Sequence, residues 1–186
     1  MQEYVIARYE FNELTDTAKE FAIEYERSNA WNFLPEDMLT DALTYDLGEL
    51  LGMNSHSHAD LELHYSLSYT QGDGVSFTGT LTPADAPLMS WPQGVATVEL
   101  VRIDSHYSHA FTVRPEYFDS EGEELDPALF TAFTDEFRQI CGQLERRGYD
   151  FIEDMTSRER AIETLEDAGA IFLESGKISR PVGLVA

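Results

Sequence analysis

The pattern of apolar and polar positions is sharpest between Ala59 and Thr82, where Leu61, Leu63, Tyr65, Leu67 and Tyr69 are interleaved with Glu62, His64, Ser66, Ser68 and Thr70. A period of two is that of a strand burying one face. Gln71-Gly72-Asp73-Gly74 comes next, and its glycines suit the positive φ of a tight turn. Val75, Phe77, Gly79 and Leu81 then resume the alternation. The stretch predicts a β-hairpin with Tyr65, Tyr69 and Phe77 on its core face.

Helical spacing dominates on either side of the hairpin. Residues 2–11 read as an extended lead-in, after which Leu14, Ala18, Phe21, Ala22 and Tyr25 share one helix face, with Thr15 or Asp16 placed to cap it. Pro35 suits the first turn of a second helix that buries Met38, Leu39, Ala42, Leu43, Leu47, Leu50 and Leu51 and ends near Gly52. Past the hairpin, PADAPLMSWPQG is a connection, and GVATVELVRID and HAFTVRPEYF are two more strands, with Pro115 at an edge or at the end of pairing. An acidic loop, Asp119 to Asp126, delivers the longest helix. Asp126 caps it, Pro127 opens it, an apolar stripe runs from Leu129 and Phe130 through Phe133, Phe137, Ile140 and Cys141 to Leu144, and Gly148 ends it.

Thr156-Ser157-Arg158-Glu159 has capping-box spacing and announces a short last helix with Ile162 and Leu165 apolar and Gly169 as its stop. The tail IFLESGKI is compatible with one more strand. Short connections between consecutive strands predict an antiparallel meander of four or five strands in an α+β fold. The N-terminal helices and the long helix are expected to cover one face of that sheet, three to four helices in all, in a single domain spanning residues 1–186.

Composition adds charge to this picture. The chain has 35 acidic against 12 basic residues, a net charge of −23 and a pI near 4.3. Phosphate binding depends on Lys and Arg, so direct nucleic-acid binding and attachment to anionic membranes are disfavoured. Acidity of this kind permits two readings. It can set carboxylates where a basic groove expects phosphates, or it can merely keep the protein soluble. The bias of the cations towards arginine, with only Lys19 and Lys177 as lysines, matches a high-GC genome or a salt-adapted proteome. No apolar run approaches the ~20 residues that cross a bilayer, and the N-terminus lacks the basic-then-apolar pattern of a secretory leader, which predicts a cytoplasmic protein. Cys141 is the single cysteine, which excludes an intramolecular disulfide and suits a buried helix position.

The opening FNELTDTAKEFAIEYER, the hairpin YSLSYTQGDGVSFTGTL, the segment HYSHAFTVRPEY and the closing RAIETLEDAGAIFLESGKI occur in this order along nearly the whole chain. In these the chain resembles a family of small bacteriophage and prophage proteins, some of which carry the label antitoxin of a toxin–antitoxin stability system. The QGDG turn between a Tyr/Ser strand and SFTG is the most specific piece. The connection PADAPLMSWPQG departs from the family pattern as a longer insert. The resemblance implies a phage-related origin, a place in the host cytoplasm and an α+β fold, and it brings no catalytic residues.

Enzymatic signatures are weak. His56, His58, His64, His106 and His109 fall in two clusters, but their spacings match no zinc pattern, and polar loops commonly carry surface histidines. Asp73 between two glycines is expected to bond its own turn rather than a cation. There is no Gly-x-Ser-x-Gly elbow and no phosphate-binding glycine loop. The residues therefore point to a protein that binds rather than catalyses and needs no cofactor.

Charge and resemblance together lead to a nucleic-acid-mimicking inhibitor of a host defence nuclease, of anti-CRISPR or anti-restriction type, whose partner is a basic nucleic-acid-binding protein of the host. The carboxylates expected to grip that partner are Glu121, Glu123, Glu124 and Asp126 in the acidic loop, and Glu153 and Asp154 beyond the long helix. One alternative is an antitoxin or regulatory partner of a specific protein toxin, which calls for a discrete apolar patch rimmed by charge. Another is a metal-dependent hydrolase built on the histidine clusters.

Overall fold

The computed structural model describes residues 7–32, 34, 36–53, 60–104 and 106–179. Contacts divide the chain into two compact units, one made of Met1–Pro35 with Phe151–Ala186 and the other of Glu36–Asp150.

The central unit holds a five-stranded sheet in the order β1 (Leu61–Ser66), β2 (Gly74–Leu81), β3 (Thr97–Arg102), β4 (Val113–Phe118) and β5 (Glu124–Leu125). Every neighbouring pair is antiparallel, so the meander read from the short connections is the observed topology. Register follows the alternation: Leu63 faces Phe77, Leu81 faces Val98, and Val98 faces Tyr117, which sets one apolar face across the sheet. Pro115 lies opposite Leu100, while β5 pairs only with Tyr117 and Phe118. At Pro115 the strand is therefore an edge on its second side, where a missing N–H costs no ladder bond.

Helix α2 (Glu36–Leu51) and the first part of α3 (Thr131–Met155) cover that apolar face. Phe77 and Phe137 are fully buried with ring centroids 5.1 Å apart, and Tyr117 meets Phe133 edge-on. Fully burying a side chain of this size is worth about 2–3 kcal/mol. Leu39, Leu43, Leu47 and Leu51 form the buried stripe of α2 at a spacing of four, whereas Met38 is exposed. The connection after β2 tucks in by Trp91, whose indole N–H donates to the Ala86 carbonyl while its ring packs on Phe133.

Two expectations about the long helix are corrected. Asp126 does cap, accepting the Ala128 N–H, but it caps a separate 3-10 turn, Pro127–Leu129, because Phe130 leaves helical geometry. Gly148 does not end α3, which continues to Met155. A Cβ at Gly148 would lie 2.4 Å from Leu67 Cδ1 and 3.4 Å from Leu43 Cδ2, so glycine is there to let two leucines reach the helix backbone.

The terminal unit contains α1 (Asp16–Asn32) and α4 (Arg158–Asp167). Thr15 caps α1 by accepting the Ala18 N–H, and Ser157 caps α4 by accepting the Arg160 N–H. The buried face of α1 is Ala18, Ala22 and Ile23, joined to Phe11, Leu14, Ala161, Leu165 and Phe172 in one cluster. Within this unit the apolar residues of α1 pack on α4 and the tail. Of the stripe expected from spacing, Phe21 and Tyr25 are instead exposed by 44% and 45%. Gly176 packs closely on α1: a Cβ there would sit 2.1 Å from the Ala18 carbonyl oxygen. The tail adds bridges rather than a strand, with Phe172 paired to both Tyr9 and Ile178.

Candidate functional site

A cluster of polar and aromatic side chains of the central unit gathers at one end of the β1–β2 hairpin. The expected strand to Thr70 stops at Ser66, and residues 67–73 form a loop built around one carboxylate. Asp73 accepts the backbone N–H groups of Ser68 and Thr70 at 2.7 and 2.8 Å, the hydroxyls of Ser66, Ser68 and Thr70, and the Tyr149 hydroxyl at 2.8 Å. Side-chain bonds of this type compete with ladder pairing and end the strand. Burial pushes the Asp73 carboxyl up, but these donors outweigh it and hold the group well below the ordinary carboxylate range. The structural reading of Asp73 is thus the one the geometry bears out.

Tyr69 sits between the two N–H groups that Asp73 holds, in the left-handed region at φ 59°. Its ring lies 4.6 Å from that of Tyr149 and is 63% exposed, so it is not the core residue that the alternation predicts. Phe77 is core, and Tyr65 is half-buried with its hydroxyl 2.7 Å from Thr40 Oγ1. The β3–β4 loop lies over the same turn. A Cβ on Gly72, at φ +95°, would be 2.5 Å from the Tyr107 ring, and one on Gly74 would be 2.7 Å from the His109 backbone. Glycine is needed at Gly72 for its dihedral and at both positions for the close approach. Tyr107 stacks on His109, and His106 and Phe111 extend the aromatic series.

His64 is the inner member of this cluster. Its Nε2 is 2.9 Å from Thr78 Oγ1, its Nδ1 is 3.2 Å from Arg102 Nη1, and burial followed by the Arg102 charge holds its pKa below the usual imidazole value. The other ring nitrogen of interest, His109 Nδ1, is buried without a described partner, as is Ser76 Oγ. His56 and His58 lie outside the described residues. Among the described residues no group of three or more His, Cys, Asp or Glu side chains could hold a metal ion. Cys141 is buried against the backbone of Phe77, and burial raises its pKa far above that of a reactive thiol.

The six carboxylates expected to meet a partner are all exposed. Glu121, Glu123, Glu124 and Asp126 stand on the β4–β5 hairpin of the central unit, while Glu153 and Asp154 lie in the last turn of α3, inside the helix rather than after it, in the terminal unit. Asp119 Oδ1 accepts the N–H groups of both Glu121 and Glu123, and the Asp119 N–H bonds back to the Glu123 carbonyl, which fixes the turn that carries them. Glu121, Glu123, Glu124, Glu153 and Asp154 make no ion pair with a described residue. Elsewhere carboxylates are neutralised: Arg147 bridges Asp46 and Glu49, and Arg158 grips Glu20 with both terminal nitrogens.

In the terminal unit Phe21, Tyr25, Asn29, Lys177 and Ile178 line a groove of 360 Å³. Sequence reading missed this groove because it placed Phe21 and Tyr25 in the core. It also missed Arg102, Tyr107 and Tyr149 at the hairpin end, which no local motif marks. No described helix is long and apolar enough to cross a membrane. The chain matches no protein-family model, no curated protein and no solved structure.

Proposed function

We propose that the protein is a phage-encoded acidic binding protein that inhibits a host defence nuclease by occupying the basic groove in which that enzyme holds nucleic acid. The observation that carries this reading is the β4–β5 hairpin, where an internally bonded turn presents Glu121, Glu123 and Glu124 to solvent without an ion pair to a described residue in a chain of net charge −23. A turn fixed before binding loses little conformational freedom when an Arg-lined surface closes on it. Carboxylates facing guanidinium groups form charge-assisted, often bidentate bonds. The phage setting and the host cytoplasm come from the sequence resemblance.

The test is capture of partners from host lysate by the tagged protein, with low- and high-salt washes in parallel. A nucleic-acid-processing enzyme held at low salt, released at high salt, and lost when the six carboxylates are changed to Gln or Asn is the expected result. Equal capture by the neutralised variant would overturn the reading.

The groove between Phe21, Tyr25 and Ile178 favours a second reading, a regulatory partner or antitoxin of one protein toxin. Apolar contacts with Lys177 at the rim survive salt better than exposed charge pairs do. Capture that resists high salt but fails in Phe21→Ala/Tyr25→Ala selects it.

A further inference from the structure

The geometry around His64 defines the state of its ring. A guanidinium nitrogen can only donate, so the 3.2 Å contact from Arg102 Nη1 makes His64 Nδ1 an acceptor. The proton of the neutral imidazole is therefore on Nε2 and points at Thr78 Oγ1, 2.9 Å away. Both ring nitrogens are committed, and only the neutral ring satisfies both.

Arg102 is at the same time the tie that holds the β3–β4 loop. Its Nε donates to the Asp104 carbonyl at 3.1 Å and its Nη2 to the Tyr107 carbonyl at 3.2 Å, while Asp104 Oδ1 accepts the His106 N–H at 2.7 Å. This tie places the Tyr107 ring on Gly72 and the His109 backbone on Gly74. A proton added at Nδ1 removes the acceptor that Arg102 uses and sets two cations in contact. It also creates a donor for Glu62, whose Oε1 is 4.0 Å from the same nitrogen. On the neighbouring strand β2 the ring meets Thr78 and lies in register with Ser76, neither of which titrates in this range. In the loop the titratable groups are Asp104, His106, Tyr107 and His109.

We propose that His64, Arg102 and Glu62 form a proton-operated latch: protonation moves His64 Nδ1 from Arg102 to Glu62, slackens Arg102 on the Asp104 and Tyr107 carbonyls, and frees the β3–β4 loop from the hairpin turn. Burial and the Arg102 charge oppose protonation and Glu62 favours it, so the latch opens on the acid side of the usual imidazole value of 6.5. The latch is independent of the charge-based function proposed above, because its loop carries none of the six carboxylates.

Nitrogen-15 NMR of the full chain, followed from about pH 8 to about pH 5, tests it across the range where imidazoles titrate. The expected result is a neutral His64 ring protonated at Nε2, a midpoint below 6.5, and movement of the His106 and Tyr107 amides with that same midpoint. Glu62→Ala lowers the shared midpoint, and Arg102→Ala raises that of His64 and uncouples the loop. His64→Gln, which keeps an acceptor for Arg102 and a donor for Thr78, abolishes the step. Loop amides that move with a midpoint other than that of His64, or that stay still while His64 titrates, would falsify the latch.

Discussion

The Tyr149 hydroxyl donates to the Asp73 carboxylate at 2.8 Å, joining a hairpin loop to helix α3 across 76 positions of sequence. With the Ser68 and Thr70 N–H groups on the same carboxylate, one side chain decides where β1 ends, how Tyr69 turns and where α3 meets the sheet.

Asp73→Asn should cost about 2–4 kcal/mol at neutral pH, the range expected when several bonds to one charged acceptor are weakened together. The folded-state pKa lies below the unfolded value of 3.8, so this stability is present above 3.8 and is lost as pH falls below it. Denaturant unfolding of wild type and variant across that range checks the sign. The gap between the two should be constant near neutrality and should narrow in acid.

Tyr149 carries the reciprocal effect. Burial and then the Asp73 carboxylate push its pKa up to about 12 from the ordinary 10.0. Raised in the folded state, the group stabilises the fold below pH 10.0 and loses that contribution as pH climbs towards 12. Ultraviolet titration of tyrosinate should show late-ionising rings, one of them Tyr117, which burial also shifts upward. Tyr149→Phe should remove one late component and leave the other.

The glycines of α3 should respond in opposite directions. Gly142 is exposed, and a methyl group placed there would meet nothing within 4 Å, so Gly142→Ala should stabilise by about 0.5–1 kcal/mol through helix propensity. At buried Gly148 the same change drives a methyl into Leu67, 2.4 Å away, and should destabilise by about 1–2 kcal/mol. Thermal unfolding ranks them, and Leu67→Ala combined with Gly148→Ala should cost less than the sum of the single changes.

Cys141 should be silent. Its thiol is 1% exposed and burial holds it protonated, so a thiol reagent at neutral pH should react only at the rate of unfolding. Rapid labelling of the folded protein would contradict the packing of α3 on β2.

The sequence by itself determined the elements and their order. Alternation marked β1 and β2, spacing of four marked α2, Thr15 was a recognisable cap, the start of α4 was read one residue early, with Thr156 rather than Ser157 as its cap, and short connections left an antiparallel meander as the simplest path. These are local properties, set by periodicity and by hydrogen bonds within a few residues. The acidic segment was legible for the same reason, as a charged loop ahead of the longest helix, whereas the short strand β5 inside it was not.

Only the tertiary structure decided which apolar residues are core. Phe21, Tyr25 and Tyr69 obey the period of their segments and yet face solvent: α1 buries Ala18, Ala22 and Ile23 against residues distant in sequence, and the loop bonded to the Asp73 carboxylate turns Tyr69 outward. Gly148 looked like a helix stop because the glycine signal is local, while its cause, contact with Leu67 and Leu43, is not. His64 was one histidine among five until folding set Arg102 and Glu62 at its Nδ1. A pattern along the chain records what each residue prefers, whereas the protonation state of a ring depends on which neighbours the fold brings to it.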